Sequence, residues 1–284
     1  MRNLFVLALS VLVISCQMVP APTKVVSQES VQGGDLKSLE QFKKNNPVVL
    51  DVRSPFDFNL MHMPGAINVR WEDFSQSETH SRGLLQPDLF AIARRLSLIG
   101  IDPDSKVLVV GKGVRGDGEE GRVAWTLKVL GIKDVMTLNH DHFREANPRE
   151  ANPPVENKAY WKPSVDETLF IGAKDFRTLA GDDKIVILDV RSLPEFQQEN
   201  LTKNKKVKAT VVNIDWKSFF QETGMPKQNL DSLLSAKNIT KEQMILVMSN
   251  HGVRSAAATY ALRGAGYRQV RNFAGGLEQW RSLK

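Results

Sequence analysis

The sequence predicts an α/β chain of two similar domains, each a mostly parallel central sheet flanked by helices. Three observations predict it. The chain repeats itself at an offset of 138 residues: Val48-Val49-Leu50-Asp51-Val52-Arg53-Ser54 recurs as Val186-Ile187-Leu188-Asp189-Val190-Arg191-Ser192. The repeated segments are continuous β-branched apolar runs, the mark of parallel strands buried on both faces. A polar, glycine-containing loop and a helical pattern follow the second strand of each copy. With 284 residues the chain has room for two domains of about 120–140 residues. Its 42% hydrophobic and 25% charged residues exclude wholesale disorder.

In chain order, Val48–Asp51 gives the first strand. Val107-Leu108-Val109-Val110 gives the second, and the same offset carries it onto Ile245-Leu246-Val247-Met248. A helix follows over Arg122–Gly131 in the first copy and from Ser255 to Gly266 in the second. Gly131 and Gly266 stand where a helix end favours a left-handed residue. Asn147-Pro148, Pro153-Pro154 and Lys162-Pro163 bring four prolines with little periodicity, which reads as a linker over 148–163. Domain one is then drawn at 35–147 and domain two at 164–284. Trp125, Trp216 and Trp280 read as core residues. Arg53 and Arg191 read as members of structural ion pairs.

The N-terminus reads as an export signal over residues 1–15. Arg2 supplies the positive start, and an apolar stretch runs from Leu4 to Ile14, too short to span a bilayer as a helix. It ends Val13-Ile14-Ser15-Cys16, which resembles the bacterial lipobox. That resemblance implies acylation of Cys16, a membrane anchor and a location in the cell envelope. The alternative is an ordinary secretory signal with Cys16 near the cleavage site. Residues 16–34, with Pro20, Pro22 and Gly33-Gly34, read as a tether. Gln17, in place of an inner-membrane retention aspartate, favours attachment to the outer membrane. Cys16 is the only cysteine, which excludes a disulfide framework and multi-cysteine metal sites. The net charge of +6 is dispersed, without the long basic run that nucleic-acid binding favours.

Domain one continues with His62-Met63-Pro64-Gly65-Ala66-Ile67-Asn68, and domain two has Gly252-Val253-Arg254-Ser255 and closes on Gly266-Tyr267, Val270, Gly275-Gly276 and Trp280. Over about 250 residues, and in the right order, these motifs resemble the tandem rhodaneses, two-domain sulfurtransferases of the thiosulfate or 3-mercaptopyruvate type. The resemblance implies two rhodanese-like domains. It also implies a cysteine thiolate at the end of the domain-two strand, opening a six-residue loop whose amides and following helix hold an anionic sulfur donor.

At that position the chain has Ser249. The loop reads Ser249, Asn250, His251, Gly252, Val253, Arg254, and with Cys16 at the anchor no thiol remains for chemistry. A serine hydroxyl is a far weaker nucleophile than a thiolate and carries no persulfide, so the sulfurtransfer implied by the resemblance is blocked. His251 in so tight a loop is expected to point to solvent rather than serve Ser249 as a base. The loop remains a candidate anion cradle through its amides, Arg254 and Ser249. Sulfate, thiosulfate, phosphate or a carboxylate are its candidate ligands, and an envelope protein its candidate partner. The alternative is that Arg254 only caps loop carbonyls. The competing classes are an active sulfurtransferase of unrecognised mechanism, a Ser249-dependent hydrolase or phosphatase, and a purely structural envelope protein.

In domain one Gly111 occupies the nucleophile position, in a loop three residues longer. Glu119 and Glu120 stand at the helix start, where they suit the helix dipole but repel an anionic ligand. The run Gly111-Lys112-Gly113 to Gly116-Asp117-Gly118 lacks the Gly-Lys-Ser/Thr ending of a phosphate loop. His140-Asp141-His142 has too few ligands for a metal site and reads as solvated. No cofactor and no metal are expected.

Overall fold

The computed structural model describes residues 40–142 and 156–282; Cys16, the export signal, the tether and part of the linker lie outside the described residues. The first half runs β1 (Val48–Asp51), α1 (Pro55–Leu60), β2 (Ile67–Asn68), α2 (Leu89–Leu98), β3 (Lys106–Gly111), α3 (Glu119–Val129) and β4 (Asp134–Asn139). The second runs α4 (Ala173–Leu179), β5 (Val186–Asp189), α5 (Leu193–Gln198), β6 (Thr210–Asn213), α6 (Asp231–Ser235), β7 (Ile245–Met248), α7 (Val253–Gly264), β8 (Val270–Asn272) and α8 (Gly276–Ser282). Two four-stranded sheets result, ordered β2-β1-β3-β4 and β6-β5-β7-β8, with every pairing parallel.

The repeat holds to the register. Leu50 pairs with Val109 in one sheet, and Leu188 with Val247 in the other. Alternate residues of each strand face opposite layers of the core. Val107 and Val109 pack with Val123 and Leu127 of α3, while Leu108 and Val110 meet Leu138 and Met225. Gly131 and Gly266 end their helices at φ +97° and +91°, the conformation the sequence reserves for them. α7 begins at Val253, two residues before the start read from the sequence, because Gly252 takes φ +81° as its N-cap. Trp125 and Trp216 are buried, and Trp280 packs edge-on against Phe176. Arg53 and Arg191 each clamp the aspartate two residues earlier, Asp51 and Asp189, with Nη2–Oδ2 at 2.6 Å in both.

The two halves cap each other. The segment beside Gly83, in domain one, lies on the end of domain two's sheet. A Cβ at Gly83 would stand 2.0 Å from the His251 carbonyl oxygen and 2.1 Å from that of Ala274. Reciprocally, domain two's segment 222–225 lies on β4: the Asn139 amide donates to the Thr223 carbonyl at 2.6 Å and Thr137 Oγ1 to the Gly224 carbonyl at 2.7 Å. Between these caps α3 crosses α7 so closely that a Cβ at Gly121 would meet the Ala257 Cβ at 2.5 Å. Gly83→Ala, forced against two backbone carbonyls, is expected to lower stability by about 2–3 kcal/mol. The urea midpoint measures it, and an unchanged midpoint would show that the caps yield freely.

Candidate functional site

The strand ends of a parallel sheet, where the loops to the helices leave, are where such folds place their sites. In domain two β7 ends at Met248, and Ser249 opens the loop with only 1% of its surface exposed. Ser249 Oγ accepts from the Gly252 amide at 3.2 Å and the Ser255 amide at 3.4 Å, and lies 3.2 Å from Ser255 Oγ. The carbonyls of Ser249 and Asn250 accept from the amides of Leu277 and Glu278, at the start of α8, at 2.9 and 3.0 Å. In a trans peptide the N–H opposes the C=O, so the amides of Asn250 and His251 face away from α8. Gly276, at φ +57°, permits this bracing; a Cβ there would stand 2.5 Å from both loop carbonyl oxygens.

Arg254, one of the cradle residues expected from the sequence, is engaged with a partner that the sequence reading did not identify. Its Nη1 and Nη2 form a two-pronged bridge to Glu195 Oε2 and Oε1, each at 2.7 Å. Asn250 Nδ2 adds a bond to Glu195 Oε1 at 2.9 Å, and Ser192 Oγ one to Oε2 at 2.6 Å. The hydrogen bonds from Arg254 hold the Glu195 carboxyl well below the usual carboxylate range. Arg254 therefore neither caps loop carbonyls nor offers a free charge. The repeat carried a signal for this pair: the offset places Glu195 on Asp57, which pairs with Lys112 at 3.0 Å.

His251 departs from its expected solvent-facing position. Its ring stacks on Trp71 of domain one at 5.9 Å, and Arg82 Nη2 approaches its Nδ1 at 3.4 Å. Glu278 Oε1 lies 3.7 Å from the same nitrogen and also pairs with Arg82. Burial, then the Arg82 charge, push the imidazole below its ordinary value, which favours its neutral form. No hydrogen bond joins it to Ser249, which consequently lacks a base from that side chain.

Above the loop a cavity of about 310 Å³ opens between the halves. Ser249, His251, Val253, Arg254 and Glu195 line it from domain two, and Trp71, Asp117 and Glu119 from domain one. The contribution of Asp117 and Glu119 was not legible in the sequence, because it arises from the crossing of α3 and α7.

Domain one's own loop is filled. A Cβ at Gly111, the nucleophile position, would lie 2.3 Å from Glu120 Oε2. The Glu120 side chain folds into this space, 1% exposed; the amides of Glu120 and Gly113 lie near its carboxyl group, yet Oε2 has no hydrogen-bond partner. Burial raises its pKa to about 8 against those amides, so at pH 7 it is mostly protonated. Two residues on, Arg122 is fully buried against the Trp125 face at 4.7 Å, with one hydrogen bond, to Ser75 Oγ at 2.9 Å. His140 is buried rather than solvated as expected. Among the described residues no group of three or more His, Cys, Asp or Glu side chains could hold a metal ion.

Known proteins match this arrangement along most of the chain. The Rhodanese-like domain family matches residues 35–141 and again 172–283. A Haloferax volcanii protein named "Putative thiosulfate sulfurtransferase" is 25% identical over 268 residues, covering 86% of this chain and 90% of its own length. Among solved structures, SseA from Escherichia coli, a 3-mercaptopyruvate sulfurtransferase, superposes with a TM-score of 0.68 at 18% identity, over 87% of this chain and 98% of that one. Tum1 from Saccharomyces cerevisiae gives 0.65 at 17% identity, over 86% and 92%. With the family matched twice and the α/β sheets repeated, the chain belongs to the rhodanese-like family, as a sulfurtransferase-like protein of two tandem domains.

Proposed function

We propose that this is a lipid-anchored rhodanese-domain protein of the bacterial cell envelope that binds the anionic group of a small ligand in its domain-two loop and transfers no sulfur. The observation that carries the reading is Ser249. The hydroxyl sits in the loop where the family mechanism needs a thiolate, and it receives the amides of Gly252 and Ser255. Hydroxyl oxygen has neither the thiolate's nucleophilicity nor a persulfide state. The amide-lined loop at the start of α7 supports anion binding, since helix N-termini and successive amides attract negative charge. A Ser249 hydrolase is less well supported, as His251 is turned to Trp71 and Arg82. The lipobox-like Val13-Ile14-Ser15-Cys16 supports the anchor, and Gln17 the outer membrane.

The test uses the full chain carrying Cys16→Ser, which has no thiol. Thiosulfate:cyanide transfer is expected to stay at background, and calorimetry is expected to find saturable binding of acetate or sulfate. Arg254→Ala should weaken that binding about tenfold or more, because it leaves the Glu195 carboxylate uncompensated beside the loop. Turnover by the thiol-free chain would sink the reading, as would the absence of any anion binding.

A further inference from the structure

The two loops differ in what fills them. In domain one the occupant is the carboxyl group of Glu120, mostly protonated at neutral pH, beside Gly111 and with Oε2 lacking a hydrogen-bond partner. In domain two no side chain plays that part, and the space above Ser249 is the cavity of about 310 Å³. Its floor is Ser249, whose Oγ takes the Gly252 and Ser255 amides, at the positive N-terminal end of α7. Its rim carries two carboxylates from domain one, Asp117 and Glu119; among the described residues neither is in an ion pair, Glu119 Oε2 accepts from the Asp117 amide at 2.9 Å, and Glu119 also lines a second cavity with Arg53, Arg70 and Lys112. The third carboxylate, Glu195, is cancelled by Arg254, and burial favours the neutral form of His251. A bare dianion such as sulfate suits the floor and is repelled by the rim. A molecule with a carboxylate at one end and an ammonium group at the other suits both.

We infer that the domain-two site takes a small amino-carboxylic acid, its carboxylate on the loop amides and Ser249 Oγ and its ammonium group against Asp117 and Glu119. This rests on the proposal that the loop holds an anionic group, and adds to it a cationic partner supplied by domain one. Asp117 and Glu119 are then specificity residues. They select zwitterions over simple anions without touching the group that the loop holds. The floor and these two rim carboxylates come from different domains, so only the assembled pair makes the complete site.

Matched ligand pairs test it on the full chain by calorimetry: glycine against acetate, and β-alanine against propionate, with sulfate as the ammonium-free dianion. Within at least one pair the amino acid is expected to bind about tenfold more tightly than its deaminated partner, the effect of two nearby carboxylates at a partly exposed site. The double variant Asp117→Asn/Glu119→Gln should erase that difference and tighten sulfate binding by a similar factor. Near-UV circular dichroism checks that the variant is folded, and the pairs measured on the unaltered chain stand without it. Equal affinity within both pairs on the unaltered chain overturns the inference while leaving the anion-binding loop in place. Binding of none of the five ligands overturns both together.

Discussion

Ser249→Cys is expected to turn this chain into a thiosulfate:cyanide sulfurtransferase, with turnover at least about a hundredfold above the serine parent. The loop leaves room for a larger atom than oxygen. The amides of Gly252 and Ser255 stand 3.2 and 3.4 Å from Ser249 Oγ, longer than the common N–H···O distance of about 2.9 Å. A larger atom at that point would draw fuller contact from the same donors. A thiol there meets two amides and the start of α7, conditions that depress thiol pKa values below about 8.5. Its thiolate would attack the sulfane sulfur of thiosulfate, and the S–S bond would break with sulfite leaving on the electron pair. Cyanide would then take the sulfane sulfur as thiocyanate and return the thiolate. Asp117 and Glu119 should make the KM for thiosulfate high, and neutralising both should lower it. Intact-protein mass spectrometry reads the intermediate directly, as the gain of one sulfur atom. A folded variant that neither gains this mass nor turns over would mean that the loop, and not only its nucleophile, is incompetent.

Glu120→Gln is expected to remove a large pH dependence from stability. In the folded protein the buried carboxyl has a pKa of about 8; in the unfolded chain it returns to the ordinary 4.5. The folded state thus holds a proton that the unfolded state has released between those values. Its stabilising effect is fully present below pH 4.5 and is lost as the pH rises through 8, at up to about 1.4 kcal/mol per pH unit. Against total stabilities of about 5–15 kcal/mol, a loss of several kcal/mol is large. Glutamine has nearly the same shape and no such proton, so the variant should gain on the parent progressively from pH 5 to 8.5. Urea unfolding of both proteins at pH 5, 7 and 8.5 measures the difference, and other titrating groups cancel in the comparison. Parallel curves would mean that the carboxyl is solvated and ionised in the fold.

Much of the architecture is legible in local sequence. Parallel strands buried on both faces must be continuous apolar runs, so Val48–Asp51, Val107–Val110 and their repeats announce themselves. Helix ends that need a left-handed residue leave a glycine, as at Gly131 and Gly266. The loop from Ser249 to Arg254 is found through the family resemblance, by counting back five residues from Arg254. The surroundings of the loop are not found that way. Glu120 reads as an acid that suits a helix start; it is buried because Gly111 has no side chain to fill the space opposite. His251 reads as exposed because loop residues usually are; it is covered by Trp71, 180 positions earlier in the chain. Arg254 finds Glu195 across two elements. Each of these facts depends on which segments meet, and no periodicity in one segment encodes its neighbour.

The mutual capping of the halves bears on the history that the chain can have. The internal repeat marks a duplication, and duplicated copies are ordinarily free to drift, shrink or disappear. Here the segment at Gly83 presses on the backbone of His251, and the segment at Gly224 bonds to β4. Each copy has become part of the other's wall. Domain one, its own loop stopped by Glu120, is held in existence by the work of sealing its sibling's. Deleting either copy would expose the open end of the other's sheet. Loss of either half would uncover backbone that the other half now seals.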